Sequence, residues 1–399
     1  MNIQKFLLIF SLLLGFGSVI DNFFPIPLLL FEYFLIIISL KQFGLRGYSA
    51  KYIVIFVVCI IISALMTSTS LTRYGSFFIR PIIAVAILSV FSYKYDEIKH
   101  YFYKNLRLIA WLSLVNFILV TIASPLFITQ TSDSGYTVHT IGYVFNYIVT
   151  TERLGIEFTR NQGLFWEPGV LEILMNTLVF IELFEYKSKI KKTILPAIIV
   201  LTTASTSGYV VLFILFILYY LQRLHTANGL KKRFVIVSSS ISSLLSLFPL
   251  VKEEVNYKFT TGVGSANKRQ FDMIMGTKIA IDNPIFGIGP NKETYMGLSN
   301  SYNVYVGDDV TYDARANTNL FVSLFCYYGI PMALLFLIAL YKQQIFINRK
   351  IYYLIIVVGL FSEPIAFVDL YFVWIMSGAY KSAQTSNSPY KTKFVQTTT

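Results

Sequence analysis

The amino-acid sequence predicts an all-α, polytopic membrane protein of about twelve transmembrane helices with two large extracytoplasmic loops. Of its 399 residues, 55% are hydrophobic and only 14% are charged, and the mean hydropathy is +0.62. Such a chain is far more apolar than a soluble domain of the same length. Apolar stretches recur along most of the sequence, which excludes a soluble domain with a single membrane anchor.

The apolar stretches define twelve candidate transmembrane segments. They cover residues 5–20, 25–40, 52–66, 77–91, 107–128, 168–185, 193–206, 208–222, 234–250, 318–341, 351–362 and 364–380. The five short connections assigned to the cytoplasm carry three or four Lys or Arg each, whereas those on the opposite side contain only Arg73. Because positive charges near helix ends resist translocation, both termini are predicted to be cytoplasmic.

This orientation divides the chain into membrane helices, two loops and a tail. The segments are N-terminal transmembrane helices (1–128), a first extracytoplasmic loop (129–167), central transmembrane helices (168–250), a second extracytoplasmic loop (251–317), C-terminal transmembrane helices (318–380) and a cytoplasmic tail (381–399). Loops this long seldom serve only as connectors, so we expect functional residues in and beside them.

The sequence also argues against several classes of protein. The net charge of +12 comes from Lys and Arg spread between apolar segments, which predicts no nucleic-acid partner. There is no GxxxxGK(S/T) phosphate loop, paired-His zinc motif or D-x-D motif, which disfavours an ATP-driven pump, a metalloprotease and a metal-dependent nucleotide-sugar transferase. Asp308, Asp309 and Asp313 lack a histidine or a calcium-loop context and are interpreted as a solvated stretch. We therefore expect no metal and no cofactor.

The densest group of polar residues is RNQGLFWEPG (160–169), where the first loop meets the sixth segment. Arg160 and Glu167 lie near the membrane interface, where charged side chains are costly to bury and tend to mark substrate sites. The structural alternative is a helix start, with Pro168 in the first turn and Glu167 complementing the helix dipole. Trp166 fits an interfacial aromatic belt better than a sugar-stacking role.

A second motif, LTTASTSGYV (201–210), lies between the seventh and eighth segments. Gly208 allows a tight turn there, and the hydroxyls of Ser205, Thr206 and Ser207 can cap the freed backbone. A structural turn is therefore favoured over a binding site.

The second loop contains a predicted amphipathic helix at 266–281, followed by the turn-rich NPIFGIGP (283–290). Lys268 and Arg269 are predicted in the first turn of this helix, where they do not complement the helix dipole. An anionic ligand is the expected reason, because Arg offers a bidentate fork to phosphate oxygens. The glycines of the following turn are a weaker candidate anion cradle.

Three further polar residues lie at or within predicted transmembrane segments. Asn317 precedes the tenth segment, where a helix N-cap explains it as well as any catalytic role. Capping does not explain Arg315. Arg80 lies inside the fourth segment, where an Arg usually faces a cavity or a partner; snorkelling to the outer face is the alternative.

Taken in order, these motifs resemble the O-antigen and capsular polysaccharide polymerase (Wzy) family of the O-antigen polymerase and ligase superfamily. The resemblance covers roughly residues 155–335. It rests on an R-x-x-G-x-F-x-E-P-like element, a Ser/Thr-Gly turn, an Arg-led helix followed by NPxxGxG, and an Asn-rich helix start followed by Gly329 and Ile330. The first element comprises Arg160, Gly163, Phe165, Glu167 and Pro168.

The resemblance implies a fold similar to C-type glycosyltransferases and an inverting, metal-independent glycosyltransferase on the outer face of the bacterial inner membrane. Glycans linked to undecaprenyl pyrophosphate are the implied substrates, and membrane lipid and a chain-length regulator protein are the implied partners. Arg160 and Arg269 are the first candidates to stabilise the departing pyrophosphate. Glu167 is the candidate base or acceptor-orienting carboxylate, with a salt bridge to Arg160 as its alternative. The remaining candidates for binding pyrophosphate or sugar are Arg80, Lys268, Arg315, Asn317 and Trp166.

Three other functions remain open: a ligase, a transporter and a structural membrane scaffold, the last of which predicts that Arg160 and Arg269 tolerate neutral substitution. A ligase of the same superfamily carries a His near the end of the second loop, where this chain has Ala316 and Asn317, so a polymerase is favoured. A transporter or flippase of lipid-linked sugars usually shows internal repeats and ionisable residues near the membrane midplane, whereas most charges here lie in one-sided loops.

Overall fold

The computed structural model describes most of the chain. The described residues are 2–18, 20, 25–43, 51–67, 74–123, 128–131, 137–141, 145–153, 156–226, 229, 233–235, 237–238, 241–242, 248–249, 252, 263–302, 319–362 and 368–378. Most of the ninth predicted segment (234–250) lies outside this part of the chain, as do Arg315, Asn317 and the aspartates at 308, 309 and 313.

Five helices precede the first loop in the described part of the chain. They are α1 (Ile3–Leu14), α2 (Pro25–Phe43), α3 (Lys51–Met66), α4 (Gly75–Val90) and α5 (Tyr95–Ala123). Helix α5 begins well before the predicted start at 107, because most of the basic connection ahead of it is helical as well. Asp96 and Glu97 in its first turn complement the positive end of the helix dipole.

An antiparallel sheet occupies the first loop, which departs from the all-α expectation. Its strands lie in sequence order: β1 (Ile128–Thr131), β2 (Thr137–Ile141), β3 (Phe145–Arg153) and β4 (Ile156–Gly163). The strands are rich in Thr, Ile, Val and aromatic residues, which favour a pleated sheet. Strand β4 carries Arg160, which is paired with Ile148 of β3.

Eight α-helices of nine or more residues follow the sheet among the described residues. They are α6 (Pro168–Phe180), α7 (Ile194–Thr202), α8 (Thr206–Thr226), α9 (Val263–Asp282), α10 (Lys292–Ser301), α11 (Leu320–Tyr341), α12 (Arg349–Ser362) and α13 (Asp369–Ser377). Helix α6 begins at Pro168, as predicted, and continues into a π-helical turn, Ile181–Glu185. Helix α9 is the predicted helix of the second loop, although it begins earlier than expected.

The apolar helices make this a membrane protein, but they do not establish twelve spans. Among the described residues, three helices are long and apolar enough to cross a membrane: Tyr95–Ile122, Thr206–Thr226 and Leu320–Tyr341. Shorter apolar helices are Ile3–Leu14, Val54–Met66 and Ile79–Val90. Large apolar side chains such as Leu65 and Ile122 are exposed, as expected of helix faces that meet lipid.

The contacts divide the chain into two compact units. Unit 1 comprises Met1–Phe16, Leu29–Lys99 and Lys258–Thr399, and unit 2 comprises Gly17–Leu28 and His100–Tyr257. Within unit 1, α4 packs against α13 and α9 packs against α11. Within unit 2, α6 packs against α7, α8 and β4, and every residue of α6 is buried.

Candidate functional site

In unit 2, strand β4 brings Arg160 to the turn between α7 and α8. The Nε of Arg160 donates a hydrogen bond to the carbonyl oxygen of Thr203 (3.0 Å). Asn161 donates through Nδ2 to Oγ1 of Thr202 (3.1 Å). Thr203 is the C-cap of α7, where unpaired carbonyls form the negative end of the helix dipole. The motifs at 160–169 and 201–210 therefore form one local structure.

The passage from β4 into α6 is held by short-range hydrogen bonds. The amide of Gly163, which has a φ of +57°, donates to Oδ1 of Asn161 (3.0 Å). Gln162 donates through Nε2 to the carbonyl oxygen of Trp166 (3.1 Å). Phe165 is fully buried and pairs with Ser18 in an antiparallel bridge. These contacts fix where the chain enters α6.

Trp166 and Glu167 are both half-buried at this entry point. The amide of Trp166 donates to the carbonyl oxygen of Gly17 (3.1 Å), and the indole edge lies directly against Gly17. Glu167 occupies the N-cap position of α6 with an extended backbone, but its side chain makes no capping hydrogen bond. The helix start at Pro168 is confirmed, and the carboxylate of Glu167 stands at the positive end of the α6 dipole, as the structural alternative requires.

A buried polar cluster behind the turn was missed by sequence reasoning. Ser207 donates to Oε1 of Glu172 (2.8 Å), and the hydroxyls of Ser205 and Ser207 lie 3.1 Å apart. Asn176 donates through Nδ2 to the carbonyl oxygen of Gly208 (3.2 Å). Glu172 and Asn176 are each only 1% exposed. The available signal was a Glu and an Asn one helical turn apart inside an otherwise apolar segment.

A second buried carboxylate, Glu182, lies in the π-helical turn after α6. Its Oε1 accepts hydrogen bonds from the hydroxyl of Tyr103 (2.7 Å) and from Nη1 of Arg107 (2.9 Å), and its side chain is 0% exposed. This ion pair ties the turn to α5. Its distant partners gave no local sequence signal.

In unit 1, Arg269 lies half-buried on α9. Because α9 begins at Val263, Lys268 and Arg269 occupy its second turn, so the predicted first-turn position was wrong. The helix-dipole argument for an anion there no longer applies, since that effect is confined to the first turn. The side chain of Lys268 lies outside the described part of the structure.

The glycines after α9 pack against a break in α11 instead of facing a ligand. Helix α11 is interrupted at Gly329 (φ 76°, ψ 166°), and the amide of Ile330 donates to the carbonyl oxygen of Pro284 (2.7 Å). Two amides of the turn donate to carbonyl oxygens of α11 at 2.9 Å each: Ile288 to Cys326 and Gly289 to Tyr327. Since these amides are bonded to α11, the anion-cradle interpretation is not supported. We call this contact the glycine interlock (283–289 with 326–330).

A tyrosine bonds the end of α10 to the end of α9. The hydroxyl of Tyr302 donates a hydrogen bond to the carboxylate of Asp282. This bond raises the pKa of Tyr302 above its ordinary value, because ionising the phenol would lose the bond and place two negative charges together.

Arg80 has a partner within unit 1. Its Nε lies 3.5 Å from Oδ1 of Asp369 in the first turn of α13, and the two side chains are 24% and 15% exposed. Of the two sequence alternatives, the partner is the one observed. The N-cap of α11 is Asn319, whose Oδ1 accepts from the amide of Val322 (3.3 Å). The predicted cap at Asn317 was wrong, because the helix begins at Leu320.

A known protein family matches about a third of the chain. Residues 193–337 match the family model Wzy_C, described as O-antigen ligase. This part of the chain is a Wzy_C domain. The resemblance drawn from the sequence motifs is thereby confirmed at the level of the family. No curated protein and no solved structure matched the chain.

The Wzy_C domain contains the 201–210 turn, α9 and the glycine interlock, and it begins after Arg160 and Glu167. Its family implies glycosyltransferase activity of the polymerase or ligase type on lipid-linked glycans. Among the described residues, no group of His, Cys, Asp and Glu side chains is placed to hold a metal ion.

Proposed function

We propose that this Wzy_C protein is a polysaccharide polymerase. It joins undecaprenyl-pyrophosphate-linked repeat units into O-antigen or capsule chains on the outer face of the inner membrane. The match of residues 193–337 to Wzy_C supports the proposal, and Ala316 and Asn317 favour the polymerase because the resemblance implies a histidine at this place in the ligases. The second loop, 251–317, contains no histidine at all.

The proposed reaction transfers the growing glycan to the nonreducing-end sugar of a new repeat unit. An acceptor hydroxyl oxygen forms a bond to the anomeric carbon as the bond from that carbon to the pyrophosphate oxygen breaks. The hydroxyl proton goes to a base, undecaprenyl pyrophosphate leaves, and the anomeric configuration inverts. The protein must align the two reactants and stabilise the charge on the leaving pyrophosphate.

In this proposal, Arg160 and Arg269 stabilise the departing pyrophosphate, and Glu167 orients or deprotonates the acceptor hydroxyl. The fixed Nε of Arg160 supports its role, because one of five guanidinium donors then sets the direction of the others before substrate arrives. Arg80, Lys268, Arg315, Asn317 and Trp166 are proposed to bind pyrophosphate or sugar.

The proposal includes the membrane arrangement of the reaction. The chain has twelve transmembrane helices with both termini in the cytoplasm, so that both long loops face the side on which lipid-linked repeat units are polymerised. A protein that regulates chain length is the proposed partner.

The test is reconstitution of the purified protein with undecaprenyl-pyrophosphate-linked repeat units, without nucleotide sugar or metal, followed by measurement of product length. We expect a ladder of polymers from the wild-type protein and at least a ~100-fold lower rate in Arg160→Ala and Arg269→Ala. Arg223→Ala is the matched control, since Arg223 is exposed in the last turn of α8. Single repeat units left unchanged by folded wild-type protein would rule out the polymerase.

A ligase is the second candidate, and the description of the matching family model favours it. A ligase transfers a glycan to a different acceptor, such as lipid A core or protein. Adding lipid A core to the same reaction separates the two: a ligase produces one capped acceptor, whereas a polymerase lengthens the lipid-linked glycan with or without it.

A further inference from the structure

We propose that Glu172 is a positioning residue for Arg160. Glu172 holds the turn between α7 and α8 in place as a clamp. The carbonyl oxygen of Thr203 in this turn then fixes the guanidinium of Arg160. The inference rests on the proposed function, because it assigns Arg160 a place in the reaction, but the clamp itself is a structural claim that can be tested separately.

A backbone carbonyl oxygen holds the guanidinium of Arg160. Its Nε bonds to a backbone carbonyl, and Asn161 beside it bonds to the hydroxyl of Thr202. A backbone carbonyl cannot swing to follow the guanidinium as a carboxylate side chain can. The direction of Arg160 therefore depends on where the turn lies.

The turn between α7 and α8 is held in place by side chains on both sides. Its residue Ala204 has a φ of +47°, a left-handed conformation that is unfavourable for a residue with a Cβ and needs support from its surroundings. The hydroxyl of Tyr209 donates to the carbonyl oxygen of Leu201 across the turn (2.6 Å), and Ser207 donates to Glu172 on α6 (2.8 Å). The turn is thus held from β4 on one side and from α6 on the other.

Glu172 packs closely against the start of α8. The carboxylate lies so near Gly208 that a Cβ at that position would overlap Oε2 and come within 2.9 Å of Cδ. The amide of Asn176 extends the same contact by bonding to the carbonyl oxygen of Gly208. A glycine is required there because the carboxylate occupies the space that a side chain would take.

Burying the carboxyl group of Glu172 costs free energy. A carboxylate that is 1% exposed is expensive to bury, and an apolar residue of similar size would pack this helix interface without that cost. Glu167 is the N-cap of the same helix, five residues before Glu172. The proposed acceptor carboxylate therefore stands at the start of the helix that carries the clamp on the proposed leaving-group cation.

The experiment measures polymerisation kinetics and amide hydrogen exchange on Glu172→Ala, Glu172→Gln, Ser207→Ala and Arg160→Ala, and on the double variant Arg160→Ala/Glu172→Ala. We expect Glu172→Ala to lower kcat by about 10- to 100-fold with little change in KM, since a displaced cation weakens transition-state binding. Glu172→Gln keeps an oxygen acceptor for Ser207 and is expected to stay within about 3-fold of wild type. Because Glu172 acts through Arg160, the double variant is expected to be no slower than Arg160→Ala alone.

Hydrogen exchange separates the clamp from the reaction. Peptides covering 202–209 are expected to exchange faster in Glu172→Ala and, to a smaller extent, in Ser207→Ala. The Ser207→Ala variant keeps the carboxyl group of Glu172 and is the one to use if Glu172→Ala does not fold. Glu182→Gln is the matched control, because Glu182 is an equally buried carboxylate that bonds to α5 instead of the turn.

Two results would overturn the inference: unchanged exchange at 202–209 in both clamp variants, or effects of Glu172→Ala and Arg160→Ala that multiply in the double variant. If the wild-type protein makes no polymer but residues 202–209 exchange faster in both clamp variants, the proposed function is refuted and the clamp stands.

Discussion

At the scale of single residues, Arg80 and Glu182 are explained by partners that are distant in the chain. Arg80 is recognisable in the sequence because an Arg inside an apolar segment needs a partner. Its carboxylate, Asp369, lies at the start of the last described helix, and no local pattern links the two. Glu182 is paired with Tyr103 and Arg107 in the same long-range manner.

The Arg80 pair supports a prediction about stability. We expect Asp369→Asn to lower the free energy of unfolding by about 1–3 kcal/mol, because it leaves a partly buried guanidinium with a neutral partner. Thermal unfolding in detergent measures the change. Glu293→Gln is the control, since Glu293 is exposed on α10 and exposed charges contribute less than about 1 kcal/mol. Equal effects of the two substitutions would contradict the prediction.

The candidate site shows what residue-level reasoning reached and what it missed. Arg160 and Glu167 are candidate site residues because charge near a membrane interface is unusual. Glu172 and Asn176 were missed because they lie in a segment that reads as an ordinary apolar helix. Their importance depends on which residues of α8 they face, and this is settled by helix packing.

At the scale of elements, hydropathy predicts where the helices lie better than it predicts where they begin and end. Helix α1 ends at Leu14 although its predicted segment runs to residue 20, and α13 begins at Asp369 although its segment starts at 364. Hydropathy records which residues avoid water, whereas a helix ends where its backbone hydrogen bonds end. The sheet of the first loop was missed for a related reason: strand pairing depends on residues across several hairpins.

The glycine interlock yields the prediction at this scale. Gly329→Ala is expected to cost at least about 1–3 kcal/mol of stability, because a Cβ at a φ of 76° is strained and would also meet the backbone of Ile285. Gly297→Ala is the matched control. Gly297 lies within α10 with nothing within 4 Å of an added Cβ, so alanine there is expected to leave stability unchanged or raise it. The unfolding temperatures of the two variants test the prediction. A Gly329→Ala protein with the unfolding temperature of the wild type would show that the break in α11 needs no glycine.

At the scale of the whole molecule, the distribution of positive charge predicts which loops are translocated. Reporter fusions placed in 223–233 and in the tail at 381–399 are expected to report the cytoplasm, and fusions in 129–167 and 251–317 the opposite side. The physical reason is that Lys and Arg near helix ends resist translocation. A cytoplasmic signal from the second loop would contradict an outward-facing site and an even number of spans. As a control, each reporter is inserted at a second site in the same loop of the full-length chain, and both sites are expected to report the same side.

Membrane character and a mainly helical fold could be read from the sequence by itself, since hydropathy sums over many residues and survives errors at any one of them. The family could also be recognised, because the order of several short motifs is a property of the chain. Only the tertiary structure decided that Arg160 rests on the carbonyl of Thr203, that Glu172 faces Gly208, and that the glycines after α9 pack against α11. Each of these contacts joins segments that local sequence cannot align, because the packing of one helix or strand on another selects which side chain meets which backbone.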